Sequence, residues 1–174
     1  MVKKPNLKLV KLTLEYRNHL IEMLEKWNQT EEKIIPRSIS RFDYRNFNHY
    51  LKNLEIKEAE AGYVPDSVYF ALDTTRNIFV GAVNIRHYLT EKLLLNGGHI
   101  GYGIVPSERR KGYGAKMLEL TLLECKKLNI RRVLQVCYKD NIASQKTIIK
   151  AGGILENEVN VDGVIYQRYW TNVK

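Results

Sequence analysis

Three cations stand beside two glycines where one apolar segment ends and a helical pattern begins. Arg109, Arg110 and Lys111 come directly before Gly112 and Gly114. A loop of free backbone N–H groups at a helix N-terminus, flanked by cations, can bind an anion such as a phosphate. Glycine also leaves room for a ligand to approach the backbone. The stretch therefore predicts an anion-binding loop.

The loop differs from two common nucleotide-binding motifs. It has no Gly-Lys-Ser/Thr sequence, which a Walker loop requires. It has too few glycines for a dinucleotide fingerprint, and no acidic residue closes a following strand to hold a ribose. The Arg-x-x-Gly-x-Gly pattern alone does not identify the anion.

Several side chains near this loop could move protons. His99 titrates near neutrality and lies just before the loop's strand, and Tyr138 ends the next predicted strand. Tyr102, Tyr166 and His87 are further candidates. Aromatic packing is the alternative role for each tyrosine, and a structural role is the alternative for His99.

Hydropathy patterns place the loop between regular elements. A β-prone segment ends at Pro106, which has no N–H for pairing, and a helix is predicted over 113–128. A nearly all-apolar strand follows at 133–138, and strand, helix, strand in this order implies a right-handed parallel unit. Further strands are predicted at 7–12, 67–73, 78–87, 154–161 and 164–171, and further helices after Thr13, after Asp43 and from Asn141 to Lys150.

Length and composition limit the class of protein. The 174 residues predict one domain over 1–174, and no apolar run approaches the ~20 residues of a membrane span. The net charge of +9 favours a polyanionic partner such as a phosphorylated cofactor or a nucleic acid. Two cysteines form no disulfide framework or metal pattern, so we expect a cytoplasmic protein without a metal.

The motifs together resemble the GNAT superfamily of N-acetyltransferases, and most closely its bacterial predicted acetyltransferases. The resemblance lies in Val-Pro-Ser-Glu-Arg-Arg-Lys-Gly-Tyr-Gly, Asn-x-Ala-Ser-x-Lys and the Gly-Gly pair at 152–153, together with a Gly-Gly-His-Ile-Gly-Tyr lead-in. It implies an α/β (α+β) fold with a mixed, mostly antiparallel twisted sheet of about seven strands, about four helices and a central splayed parallel strand pair.

The resemblance also implies roles for individual residues. The loop would wrap the pyrophosphate of acetyl-CoA, and the backbone of Ile104 and Val105 would pair with the pantetheine amides. Gly101 and Gly103 would allow the bulge that opens the strands. Asn141 would reach the pantetheine arm or cap its helix, with Ser144 beside it. The implied cofactor-binding set is Ile104, Val105, Arg109, Arg110, Lys111, Gly112, Tyr113, Gly114, Asn141 and Ser144.

The chain departs from familiar members at two catalytic positions. Gly98 stands where many members have a glutamate base, and Ile148 stands where many have a tyrosine acid. His99 and Tyr138 are therefore the predicted catalytic residues. The predicted reaction is direct attack of a primary amine, on a small molecule or a protein, on the thioester of acetyl-CoA.

Two other classes of function remain open at this point. A non-catalytic acyl-CoA sensor on the same fold would explain the two departures, and a nucleic-acid module would use the basic surplus. No recognition helix or basic-aromatic strand supports the nucleic-acid module. The acceptor amine has no diagnostic motif, and a homodimer through the last hairpin is a further expectation.

Overall fold

The computed structural model describes residues 5–173. Within them lie seven strands and four α-helices. In chain order these are β1 (Leu7–Val10), α1 (Arg17–Asn28), α2 (Phe47–Asn53), β2 (Asp66–Asp73), β3 (Ile78–Arg86), β4 (Ile100–Ile104), α3 (Tyr113–Lys127), β5 (Arg132–Tyr138), α4 (Ile142–Lys150), β6 (Ile154–Val161) and β7 (Val164–Asn172). Short 3-10 turns cover Leu14–Tyr16, Arg37–Ser40 and Pro106–Glu108, and a π turn covers Leu93–Gly97.

The strands form two antiparallel sheets, which confirms the predicted seven-stranded mixed fold. One sheet has the order β1-β2-β3-β4 and the other β5-β7-β6. The loop-bearing unit β4–α3–β5 connects them. The last hairpin turns at Asp162 and Gly163, both with positive φ as its two-residue loop requires. Within residues 5–173, no helix combines the length and apolar character needed to cross a bilayer.

Apolar spacing explains the helices that cover the sheet. In α1 the side chains of Leu20, Met23, Leu24 and Trp27 are all buried, as their helical spacing predicts. They join a cluster on one side of β2 and β3, while α3 packs in a second cluster on the other side. The sheet therefore separates an α1–α2 side from an α3–α4 side.

Three local predictions are wrong in detail. Thr13 makes no side-chain cap and precedes a 3-10 turn, so α1 begins only at Arg17. The N-cap of α2 is Asn46 instead of Asp43, whose carboxylate accepts the N–H of Arg45 in a turn before the helix. The spacing of Ala143, Thr147, Ile148 and Ala151 predicts the buried side of α4, but Ala143 is exposed.

Glycines in β3 and β4 allow close backbone contacts that a side chain would prevent. Gly81 lies at a register shift opposite Ala71, where a bulge interrupts the β2–β3 ladder. Gly103 lies in a continuous β3–β4 register, so the bulge predicted at the β4 glycines is absent. A Cβ on Gly103 would lie only 2.4 Å from the carbonyl oxygen of Ile35. The β4 glycines therefore allow the segment between α1 and α2 to pack directly on the strand.

Candidate functional site

The anion loop between β4 and α3 has the backbone shape that its residues predict. Arg110 and Gly112 have positive φ values of 62° and 84°, and α3 begins directly after Gly112. The first turn of a helix leaves N–H groups without intrahelical acceptors, and the helix dipole is positive at this end. The loop therefore directs backbone donors and positive potential toward solvent at the start of α3.

A charge network fixes this loop to the turn between β2 and β3. Arg76 binds Glu108 through Nη2 at 2.6 Å and Asp73 through Nε at 2.7 Å. Tyr113, the first residue of α3, donates its hydroxyl to Asp73 at 2.5 Å. Both carboxylates are buried. The network joins both ends of the anion loop to the four-stranded sheet.

The two carboxylates of this network stay ionised at neutral pH. The hydrogen bond from Arg76 lowers the pKa of Glu108. Burial raises the pKa of Asp73, but hydrogen bonds from Tyr113 and Arg76 outweigh it and lower that pKa to about 2. Arg76 and Lys111 therefore neutralise the negative charges of Asp73 and Glu108. This pairing reduces the repulsion between these carboxylates and a phosphate bound at the loop.

Two of the three predicted cations form ion pairs, and the third does not. Arg109 binds Glu32 through Nη1 at 3.0 Å and Nη2 at 2.7 Å. Lys111 Nζ lies 2.9 Å from Glu108 Oε2. Arg110 is exposed and has no ion pair within residues 5–173. Arg110 is thus the cation of the three that is available to a ligand without breaking a contact.

His99 joins the starts of β4 and β5, which otherwise stay apart. Its N–H donates to the carbonyl of Leu134 at 2.8 Å, and its Nδ1 accepts the N–H of Leu134 at 2.9 Å. No ladder links the two strands within the described chain. The strands therefore meet at one point and leave a gap beyond it.

The environment of His99 keeps its imidazole neutral. Burial, with a smaller contribution from the charge of Arg86, lowers the pKa of His99 to about 4. With Nδ1 accepting from Leu134, the hydrogen of the neutral ring is on Nε2. Next to it Gly98 has φ 67°, and a Cβ there would lie 2.7 Å from the Leu134 carbonyl oxygen. A side-chain base at position 98 would not fit this tight junction.

Alternate backbone groups of β4 face the gap. Val105 donates its N–H to Val80 in the β3–β4 ladder, so it is not free for a ligand. Because antiparallel pairing alternates along a strand, the backbone groups of Tyr102 and Ile104 point away from β3. The Ile104 carbonyl accepts Nε of Arg109 at 3.1 Å. The N–H groups on this edge are those of Ile104, as predicted, and Tyr102, whereas the N–H of Val105 belongs to the β3–β4 ladder.

A hydroxyl cluster lies between β4 and α4. The Tyr102 hydroxyl and Ser144 Oγ are 3.2 Å apart, and the Tyr102 hydroxyl also interacts with Thr147. Burial raises the pKa of Tyr102. Asn141 caps α4 by accepting the N–H of Ser144 at 3.1 Å. The capping alternative for Asn141 is confirmed, and Ser144 contacts the strand across the gap.

The other candidate acids and bases lie apart from this cluster. Tyr138 is exposed and packs on Tyr166, with 5.1 Å between ring centroids. His87 Nε2 lies 2.8 Å from Ser67 Oγ at the far end of β3. Ile148 is fully buried in the core, where it performs no proton chemistry. The structure therefore places Tyr102 and Tyr138 at different sites, one between β4 and α4 and one on the surface.

Two cavities lie on opposite sides of the sheet. One, of about 620 Å³, includes Lys111, Gly112 and Lys116 of the loop and α3, and Thr147 and Lys150 of α4. We call it the α3–α4 cavity. The other, of about 350 Å³, lies on the α1–α2 side, and we call it the Ser38 cavity. It is lined by residues of four segments, among them Pro36, Arg37, Ser38, Arg41, Asp66, Asn84, Arg86 and Lys92.

Gly101 of β4 lies close to two residues of the Ser38 cavity. A Cβ on Gly101 would lie 3.5 Å from Pro36 and 3.6 Å from Nη2 of Arg86, and both residues line that cavity. Because successive side chains of a strand point to opposite faces, the Tyr102 side chain faces α4 instead. Successive residues of β4 thus face opposite sides of the sheet, Gly101 toward Pro36 and Arg86 and Tyr102 toward Ser144.

Sequence reasoning missed the residues of the Ser38 cavity. Ser38 and Arg41 belong to a stretch without clear periodicity, and Asp66 and Asn84 belong to strands whose neighbours are apolar. The only available signal was a polar residue at a buried strand position, as at Asn84. Among the described residues, no group of three or more histidine, cysteine, aspartate or glutamate side chains could hold a metal ion.

The family model described as an acetyltransferase (GNAT) domain matches residues 6–154. The chain is similar in structure to the Salmonella typhimurium acetyltransferase that modifies the N-terminal serine of ribosomal protein L7/L12 (18% identity, TM-score 0.65, 100% of this chain and 98% of that chain). No curated protein matches the sequence.

Two similar structures contain coenzyme A or acetyl-CoA. RimL, a ribosomal L7/L12 α-N-protein acetyltransferase in complex with coenzyme A, has 16% identity and a TM-score of 0.68 over 99% of this chain and 97% of that chain. The microcin C7 self-immunity acetyltransferase MccE, in complex with acetyl-CoA and AMP, has 16% identity and a TM-score of 0.65 over 99% and 94%. At these identities the likeness concerns the fold.

Proposed function

Because the chain belongs to the GNAT family of acetyltransferases, we propose that it transfers the acetyl group of acetyl-CoA to a primary amine. The observation that carries this proposal is the gap between β4 and β5, which is closed at His99 and leads toward the anion loop. A gap of this kind accommodates an extended amide-bearing arm, because one strand edge has free backbone groups.

The described contacts fit acetyl-CoA as a substrate. The pyrophosphate binds the N–H groups of Gly112, Tyr113 and Gly114, with Arg110 as the free cation. The pantetheine amides pair with the gap-facing backbone of Tyr102 and Ile104. Asn141 and Ser144 border the arm from α4, and the α3–α4 cavity of about 620 Å³ takes the rest of the molecule.

The reaction joins the amine nitrogen to the thioester carbonyl carbon and breaks the carbon–sulfur bond. The amine must lose a proton to attack, and the departing thiolate must gain one. Tyr102 is a candidate acid because its hydroxyl lies between β4 and α4, beside Ser144, and Tyr138 remains the predicted alternative. His99, the predicted base, has no free ring nitrogen in this arrangement, since Nδ1 accepts the Leu134 N–H and Nε2 carries the hydrogen. Positioning of both substrates supplies part of the rate enhancement.

Acetyl-CoA binding and turnover test this proposal separately. Acetyl-CoA is expected to raise the melting temperature, and an amine panel is expected to release free CoA thiol. Arg110→Glu should reduce the stabilisation by acetyl-CoA, whereas Arg131→Glu, an exposed change outside the loop, should leave it unchanged. The kcat values of Tyr102→Phe and Tyr138→Phe are then compared, and the variant with the lower kcat identifies the acid. Absence of stabilisation by acetyl-CoA would contradict the proposal.

A non-catalytic acyl-CoA sensor is the second candidate. The observations that favour it are Gly98, which has no side chain, and Ile148, which is buried in the core. Stabilisation by acetyl-CoA without thiol release on any amine would favour the sensor over the enzyme.

The remaining parts of the proposal concern organisation. We place one catalytic domain over 1–174 in the cytoplasm. A homodimer through β6 is suggested by its edge position and by exposed Ile154 and Leu155. Light scattering at several protein concentrations tests it, and a monomer at all of them would rule it out.

A further inference from the structure

The Ser38 cavity contains a buried hydroxyl without a partner. Ser38 is 8% exposed, and its Oγ has no hydrogen bond in the structure. It lines a cavity of about 350 Å³ beside Gly101. A buried hydroxyl without a hydrogen bond costs on the order of 1–3 kcal/mol. A ligand that accepts a hydrogen bond from Ser38 would remove this cost.

Arg41 has unused donor capacity in the same cavity. Its Nη2 donates to the carbonyl of Leu54 at 2.6 Å, and its Nε is buried without a partner. The nearest carboxylate oxygen, on Asp66, is 3.9 Å from Nη2. Asp66 is itself held by the N–H of Ile56 and by Asn84, both at 2.7 Å. Its carboxylate therefore compensates Arg41 only in part.

The remaining charges of the cavity are also positive. Arg86 donates Nη1 to the carbonyls of Gly97 and Gly98, at 3.1 and 3.0 Å, and binds no carboxylate within residues 5–173. Arg37 and Lys92 complete the charged lining. Four cations and one carboxylate thus line the same cavity, and two of the lining residues, Ser38 and Arg41, have side-chain donors without a partner. This combination fits an oxyanion with several acceptor oxygens.

We propose that the Ser38 cavity binds the anionic group of the acceptor, so that the acceptor is a small amine that also carries a carboxylate or a phosphate. The inference rests on the proposed acetyl transfer. The volume is at the lower end of the 300–1,000 Å³ typical of small-molecule sites, which favours a small acceptor. Two residues that line the cavity, Pro36 and Arg86, lie beside Gly101 of β4, so a bound acceptor would be held next to the strand that borders the gap.

Matched pairs of amines test the charge requirement. With acetyl-CoA, kcat/KM is measured for β-alanine against β-alaninamide and for phosphoethanolamine against ethanolamine. The anionic member of at least one pair should be preferred about tenfold or more, the size expected for hydrogen bonds to a charged group. The two pairs distinguish carboxylate from phosphate. Equal values within both pairs, or a preference for peptide amines regardless of charge, would overturn the inference.

Variants identify the cavity as the source of that preference. Arg37→Gln should reduce the preference about tenfold, and Ser38→Ala should reduce it while the melting temperature stays equal or rises, because an unpaired buried hydroxyl is removed. Lys26→Gln removes one exposed positive charge on α1 outside the cavity and should change nothing. A preference unchanged in both cavity variants would contradict the inference.

A binding measurement separates this inference from the proposed function. With the anion loop saturated by CoA, millimolar inorganic phosphate or acetate should raise the melting temperature of the wild type more than that of Arg37→Gln or Ser38→Ala. No added stabilisation by either anion would overturn the inference while leaving acetyl-CoA binding intact. Failure of acetyl-CoA itself to stabilise the protein would instead contradict the proposed function.

Discussion

The two sides of β4 use charge in opposite ways. On the α3–α4 side, Arg109 and Lys111 already pair with Glu32 and Glu108, and the free donors are backbone N–H groups. On the α1–α2 side, Ser38 and the Nε of Arg41 lack partners in the same cavity. On the first side, the protein's own carboxylates pair with the charged side chains. On the second side, two side-chain donors have no hydrogen-bond partner.

This difference indicates which kind of donor is left to bind a ligand on each side. Backbone donors at a helix start bind any phosphate of the right shape, so the side chains there can be used to fix the loop. Unpaired side-chain donors reduce stability and are retained where a ligand completes them. On the proposed function, the first side binds acetyl-CoA and the second side selects the acceptor.

Arg76→Leu should have the largest effect, because it breaks the support of the anion loop. It leaves the buried carboxylates of Asp73 and Glu108 without their main partner, which costs about 3–5 kcal/mol for a buried pair. Urea unfolding measures the loss, and acetyl-CoA stabilisation should fall with it. Arg45→Leu, at an exposed pair with Glu25, is the control and should cost less than about 1 kcal/mol. Similar losses for both variants would mean that the network does not support the loop.

His99→Leu tests the junction between the two sides. It leaves the N–H of Leu134 unpaired and should cost about 1–3 kcal/mol at pH 7.5. The native pKa of about 4 is below the ordinary 6.5, so between these values the unfolded chain binds the proton and the native protein does not. The wild type therefore loses stability relative to His99→Leu as pH falls from about 6.5 to 4. A difference in stability that is constant over this range would contradict the burial of a neutral His99.

Gly103→Ala tests the close packing on the α1–α2 side. The new Cβ would lie 2.4 Å from the Ile35 carbonyl oxygen and 3.0 Å from Trp27, and overpacking of this kind costs about 1–3 kcal/mol. Turnover of the acceptor should fall more than acetyl-CoA binding, because the segment that moves carries Pro36 and Ser38. Thermal unfolding and steady-state kinetics measure the two effects. Unchanged stability would show that the segment carrying Pro36 and Ser38 can move away from the new methyl group without a cost in free energy.

Gly114→Ala makes the matching change on the α3–α4 side and should have the smallest effect on stability. The nearest atom to the new Cβ is Ile104 Cγ1 at 4.0 Å, so nothing opposes it. Alanine in place of glycine within a helix should raise the free energy of unfolding by about 0.5–1 kcal/mol. The melting-temperature increase caused by acetyl-CoA should shrink, since the methyl group lies where the phosphates approach. An unchanged increase would place the phosphates elsewhere.

The sequence predicts the α3–α4 side well because its signals are local. Positive φ at Gly112, the helix start at Tyr113 and the cap at Asn141 each depend on residues adjacent in the chain. The seven strands and four α-helices follow from the same kind of pattern. The N–H predicted to be open at Val105 is instead paired with Val80, because the register of the β3–β4 ladder is set by distant pairing.

The α1–α2 side could not be predicted because its contacts are distant in sequence. The Ser38 cavity combines residues from 36–41, from β2 and β3, and from the π turn before β4. The support of the anion loop has the same character, since Arg76 reaches Glu108 across 32 positions. The role of His99 was ambiguous for a related reason: its Nδ1 partner is 35 residues away.

The two cysteines have a practical consequence for measuring this chemistry. Burial raises the pKa of Cys125 to about 12 and also raises that of Cys137, so neither is a reactive thiolate in the native protein at neutral pH. An aromatic disulfide reagent should therefore report the CoA released by turnover with little background from the protein. When the chain unfolds, both thiols become accessible, and the same reagent then counts unfolded molecules.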